Sequence, residues 1–161
     1  MLVLVAIAAA WDVRSLTIPN ALPIAIAALV VPAGLLSGWP VETWLMHLAA
    51  GVLALAVGLG LWVTRLMGGG DIKLYAAVSL WFTPGLLLWL TAWIMIAGGL
   101  LGGAVILWGL VSTRLPNTGA APDSDPGVDD PAEDAANRLK TPVPYGVAIL
   151  AGTLFTLFAY G

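Results

Sequence analysis

Asp12 and Asp71 stand at the edges of apolar segments in a chain that keeps most of its other acids elsewhere. Six of the nine acidic residues fall between Asp123 and Asp134, which leaves only Asp12, Glu42 and Asp71 for the apolar remainder. An ionisable group at membrane depth is costly and rarely idle. Two carboxylates brought close together do not both ionise easily, so one holds a proton near neutral pH while the other is able to deprotonate water. That pairing is suited to peptide hydrolysis by general acid–base catalysis.

The elements that would position the pair follow from composition. With 60% hydrophobic and 9% charged residues and eight Trp in 161 positions, the chain carries more apolar surface than one soluble core of this size can bury. It reads as an all-α, polytopic membrane protein. The forty residues from Leu74 to Thr113 contain no Asp, Glu, Lys, Arg or His, enough for two helices at roughly 20 residues each, with Thr83-Pro84-Gly85 as the break between them. Charge-free runs predict about six transmembrane spans, near 1–13, 20–37, 43–64, 71–83, 86–111 and 143–160. The N-terminal stretch has no basic n-region and is read as retained rather than as a cleaved signal.

Lys and Arg collect in cytoplasmic loops. With the N-terminus outside, the cytoplasmic segments hold Arg14, Arg65, Lys73, Arg114, Arg138 and Lys140, which are all the basic residues in the chain. Asp12 and Asp71 then share the cytoplasmic edge, and Glu42 lies on the opposite one. Residues 1–161 read as a single transmembrane domain with a flexible cytoplasmic loop at about 112–142, rich in Pro, Gly, Ala, Asp and Asn. That loop causes the low pI near 4.7.

Helix ends suggest a division of roles. Asp12 falls at the C-terminal end of its helix, where the macrodipole disfavours a negative charge, and Asp71 at the start of one, where it favours it. Asp71 is therefore the expected base and Asp12 the expected acid, with exchanged roles left open because coupled sites titrate as a unit. Structural alternatives exist for both: Asp71 as an ordinary N-cap, and Asp12 as a partner of Arg14. The glycines before Asp71 would let a substrate backbone approach it unobstructed.

Other residues have quieter readings. Glu42 after Pro40 suits the first turn of a helix, and His47 suits packing rather than ligation. Gly98 to Gly103 contains small-xxx-small patterns that permit close helix approach within or between chains. Cys is absent and His47 is the single His, so no Cys- or His-based metal site is expected. Neither a cofactor nor a nucleic-acid partner is expected.

Three stretches together resemble a known family. Trp11-Asp12-Val13-Arg14-Ser15-Leu16-Thr17-Ile18-Pro19-Asn20 resembles the first aspartate region of type IV prepilin peptidases. Gly68-Gly69-Gly70-Asp71-Ile72-Lys73-Leu74 resembles the second, the GxGD motif of these aspartyl membrane peptidases. Pro142-Val143-Pro144-Tyr145-Gly146-Val147-Ala148 is similar to the opening of the family's last span. The resemblance implies a bacterial inner-membrane enzyme with Asp12 and Asp71 as the catalytic dyad at the cytoplasmic face. Gly68, Gly69, Gly70, Lys73 and Arg14 would be supporting or substrate-binding residues. The implied partners are the lipid bilayer and a prepilin, cut after a glycine between its basic leader and its apolar helix. The small size and the Ile-Pro-Asn turn look most like the branch serving tight-adherence (Flp-type) pili. The cysteine-containing N-terminal segment of larger members is not seen, which implies peptidase activity without N-methyltransferase activity. The rival from another class is a small ion-coupled transporter using the two aspartates as proton or cation sites.

Overall fold

The computed structural model describes residues 1–64, 67–112 and 145–160, and among them it contains helices and no strand. In chain order the helices are α1 (Leu2–Ser15), α2 (Ala21–Ala28), α3 (Val30–Leu36), α4 (Val41–Val63), α5 (Gly69–Ser79), α6 (Pro84–Ser112) and α7 (Tyr145–Tyr160). The expected loop at about 112–142, with Arg114, Arg138 and Lys140, lies outside the described residues apart from Ser112, and so does Arg65.

Prolines set several of these boundaries. Pro84 occupies the first position of α6, where its missing N–H costs nothing. The run read as one span over 20–37 is two helices meeting at Leu29. Pro32 explains the interruption, because it cannot donate to the Ala28 carbonyl and its ring crowds that oxygen. Glu42 lies in the first turn of α4, as expected.

Among the described residues two helices, Val41–Val63 and Pro84–Trp108, are long and apolar enough to cross a membrane. The first spans about 34 Å at 1.5 Å per residue, against a hydrocarbon core of about 30 Å. Their outward positions carry large apolar side chains, among them Leu45, Val52 and Leu59 on α4 and Leu88, Ile96 and Trp108 on α6. So much exposed apolar surface is consistent with a membrane protein.

Contacts divide the chain into Met1–Gly98 with Pro144–Gly161, and Gly99–Val143. The second unit is described only along the continuation of α6, where Gly99 and Gly103 face open space. In the first unit α5 is the innermost helix, with Ile72, Leu74, Tyr75, Ala77, Val78 and Ser79 buried. α4 meets it through a stripe of small residues, Ala50, Gly51, Ala54 and Gly58, spaced one helical turn apart. Leu80 fills the space above Gly51 and Ile72 that above Gly58, where an added Cβ would come within 2.4 Å and 2.7 Å of them. The pairing of rising numbers on α4 with falling numbers on α5 makes the two helices antiparallel. At the far end of α5, His47 stacks on Trp39 at 4.2 Å between ring centroids, and its Nδ1–H donates to the Leu80 carbonyl at 3.0 Å. This is the packing role expected of it.

Candidate active site

Asp12 belongs to the last turn of α1, on the buried stripe with Val5, Ala8 and Ala9, and is 5% exposed. A buried carboxylate requires a donor. It comes from 134 residues away: the Gly146 amide donates to Asp12 Oδ2 at 2.8 Å. Gly146 is the second residue of α7, so its N–H is one of those that a helix leaves without an internal partner. The approach needs a glycine, since a Cβ would lie 3.0 Å from Asp12 Cβ and Oδ2 and 3.2 Å from Ala9 Cα.

The carboxylate therefore sits between the C-terminal end of α1 and the N-terminal end of α7, whose fields oppose each other. The acid and base roles expected from the ends of α1 and α5 stay open, because α7 adds an opposing field at Asp12. Arg14 is exposed while Asp12 is buried, as two residues about 200° apart around a helix should be. Burial and the Gly146 amide, rather than Arg14, hold Asp12.

Asp71 is positioned by its own turn. Gly68 is the N-cap of α5, in extended conformation at φ −73° and ψ 152°, and Asp71 is the third helical residue. This corrects the alternative in which Asp71 itself caps the helix. A side chain at the third position turns back toward the N-cap, and the Gly68 backbone lies so close that a Cβ there would come within 2.8 Å of Asp71 Oδ2. Asp71 Oδ1 is buried and has no hydrogen-bond partner among the described residues. Buried polar atoms without a partner are few in folded proteins, and each calls for a physical reason. Asp12 is near enough to act on Asp71 electrostatically.

The three glycines have different surroundings. Gly68 lies against the carboxylate, Gly69 faces open space, and Gly70 packs under Ile18, which a Cβ would meet at an ordinary 3.5 Å. Ile18 is delivered there by the turn that leaves α1. Leu16 adopts the left-handed conformation at φ 51° and ψ 25°, and its N–H closes on the Asp12 carbonyl at 2.8 Å. A left-handed leucine costs roughly 1–2 kcal/mol, offset here by burying Ile18. Two residues later Asn20 Oδ1 accepts from Lys73 Nζ at 3.0 Å, so the Asp12 turn is latched to α5 two residues past Asp71.

The turn that follows Asp12 and the glycines that precede Asp71 thus meet at Ile18 and Gly70, Gly68 lies against Asp71, Lys73 bonds Asn20, and Arg14 stays on the exposed side. Two further residues emerge, Gly146 and Asn20. Both stand inside the sequence stretches singled out above, yet their partners are distant in the chain and no local spacing reveals them. One turn beyond Asp71 on α5, the buried Tyr75 hydroxyl is hydrogen-bonded to Thr91 Oγ1 on α6. Ser79 Oγ donates to the Tyr75 carbonyl at 2.8 Å. Among the described residues no cluster of His, Cys, Asp and Glu is arranged to hold a metal.

Comparison with known proteins bears on this arrangement. A prepilin leader peptidase/N-methyltransferase of Bacillus subtilis (strain 168) is 34% identical over 118 residues, covering 70% of this chain and 46% of the relative. The chain thus spans about half the length of the curated relative it matches. No solved structure gives a match. The type IV leader peptidase family matches residues 1–107, a range that contains both aspartates, the glycine run and the Asn20–Lys73 latch. On that match the chain belongs to the type IV leader peptidase family.

Proposed function

We propose that the protein is a membrane aspartyl endopeptidase that removes the leader of type IV prepilins, with Asp12 and Asp71 as its dyad. The observation that supports this reading is that each aspartate is held at the end of a helix in a buried setting, Asp12 by a distant amide and Asp71 with one carboxyl oxygen left over. A buried Asp12, held by the Gly146 amide, acts on an Asp71 whose buried Oδ1 has no described partner. One carboxylate takes a proton from water as the oxygen attacks the scissile carbonyl. The other, protonated, donates to the amide nitrogen as the C–N bond breaks, and the two exchange roles by the end of the cycle. The dyad works as a unit, so neither residue is assigned permanently to one role.

Family membership and the relative's name support prepilin processing. The finer reading is a single domain of six spans, N-terminus outside, in the bacterial inner membrane, with the dyad at the cytoplasmic face and a Flp-type prepilin as substrate. The distribution of basic residues and the Ile-Pro-Asn turn support it. The relative's name also includes N-methylation; only leader cleavage is proposed for this chain. A transporter would place its acids near the bilayer midplane on broken helices, whereas here they sit in the last turn of α1 and the first turn of α5.

The test is cleavage of a leader-bearing prepilin by the detergent-purified protein, comparing wild type with Asp12→Asn and Asp71→Asn. Both substitutions should abolish product. Cleavage that persists in either would remove that residue from the mechanism.

A further inference from the structure

A groove of about 540 Å³ runs between α2, α4 and α5, within the roughly 300–1,000 Å³ of ordinary small-molecule sites. Its walls are apolar, formed by Pro23 and Ile24 of α2, Leu48 and Val52 of α4 and Ala77 of α5, and its lining also includes Lys73 and Asn20. The α5 residues lining it, Lys73, Ala76, Ala77 and Leu80, form one helical stripe. Asp71 lies about 160° around the helix from Lys73 at 3.6 residues per turn, so the groove is not the face that carries the dyad. An occupant lying in it does not thereby reach the carboxylates.

We infer that the α2–α4–α5 groove binds one anionic phospholipid, an acyl chain along the apolar walls and the headgroup phosphate on the Lys73 ammonium. Charge complementarity argues for this occupant. Lys73 has three donor hydrogens, its described partner is the neutral Asn20 amide, and it stands in the second turn of α5, with apolar groove walls on the neighbouring helices. Basic pockets between membrane helices recognise lipid headgroups in this way, and the lysine stem can lie along apolar surface while its charged end reaches the headgroup level.

The test reads lipid binding alone, so its outcome is independent of whether the protein cleaves prepilins. Purified protein is equilibrated with an equal mixture of phosphatidylglycerol and phosphatidylcholine, and bound lipid is counted by native mass spectrometry. Wild type should prefer phosphatidylglycerol by about fivefold, the factor expected of one lysine at a membrane surface. Lys73→Gln, which keeps a donor for Asn20 but loses the charge, should equalise the two lipids. Val52→Trp, at an exposed lining position, should lower the occupancy of both. A wild type without preference, a preference that survives Lys73→Gln, or occupancy unchanged by Val52→Trp would overturn the site. So would a photo-cross-linker at position 52 that captures a prepilin peptide rather than phospholipid in the same bilayer.

Discussion

Asp12 and Asp71 are the same residue type held by opposite means. Asp12 is fixed by tertiary structure, through an amide 134 residues away on a helix that must dock before the bond exists. Asp71 is fixed by its own turn, with Gly68 as the cap and its backbone against the carboxylate. The first has a described donor, and the second keeps one buried oxygen without one. In the proposed dyad, repulsion between the carboxylates would keep one proton on the pair, and unequal surroundings would bias which of the two holds it.

The largest expected effect tests whether the asymmetry ends at chemistry. Asp12→Asn and Asp71→Asn should each lower the rate of leader cleavage by about 10²–10⁴-fold or more, the range of general acid–base contributions, in a prepilin assay with Tm measured alongside. A large loss in only one variant would break the pairing. Gly146→Val comes next and addresses the Asp12 side. Its branched side chain meets Asp12 and the Ala9 backbone, so it should lower stability by about 1–3 kcal/mol, as overpacking does, together with activity.

Gly68→Ala addresses the Asp71 side and should separate the two quantities. Its Cβ meets only the end of one short side chain, so Tm should hold while the rate falls by up to about 10²-fold from misplacement of the carboxylate. Gly69→Ala, which faces open space, should leave Tm unchanged, so that any fall in rate would mark a place where the substrate backbone approaches. Asn20→Ala should have the smallest effect. It removes the acceptor of the Lys73 hydrogen bond, worth about 1.5–3 kcal/mol for a charged donor and less at this exposed position. Thermal unfolding should show a small loss, with a modest fall in rate if the latch aligns the Asp12 turn.

The same contrast explains what was legible in the sequence. Asp71, its glycines and the start of α5 are encoded within four residues, and the local run announces them. α4 and α6 are legible because uninterrupted apolar length and Pro84 require little else. The interruption at Leu29 is invisible to charge alone, because the run over 20–37 carries none, and Pro32 is its signal. The stripe of Ala50, Gly51, Ala54 and Gly58 gains its meaning only when Leu80 and Ile72 are seen above it. Asp12 marked itself as an unexplained acid, but its donor did not. Gly146 looks like any glycine near a helix start until α7 lies against α1.

The bond between Gly146 and Asp12 also bears on how the protein comes into being. Both aspartates lie in α1 and α5, so a growing chain contains both carboxyl groups long before α7 is synthesised. Only when α7 inserts beside α1 does Asp12 acquire its described donor. On the proposed reading, leader cleavage would then begin only once α7 lies against α1, so that activity follows assembly.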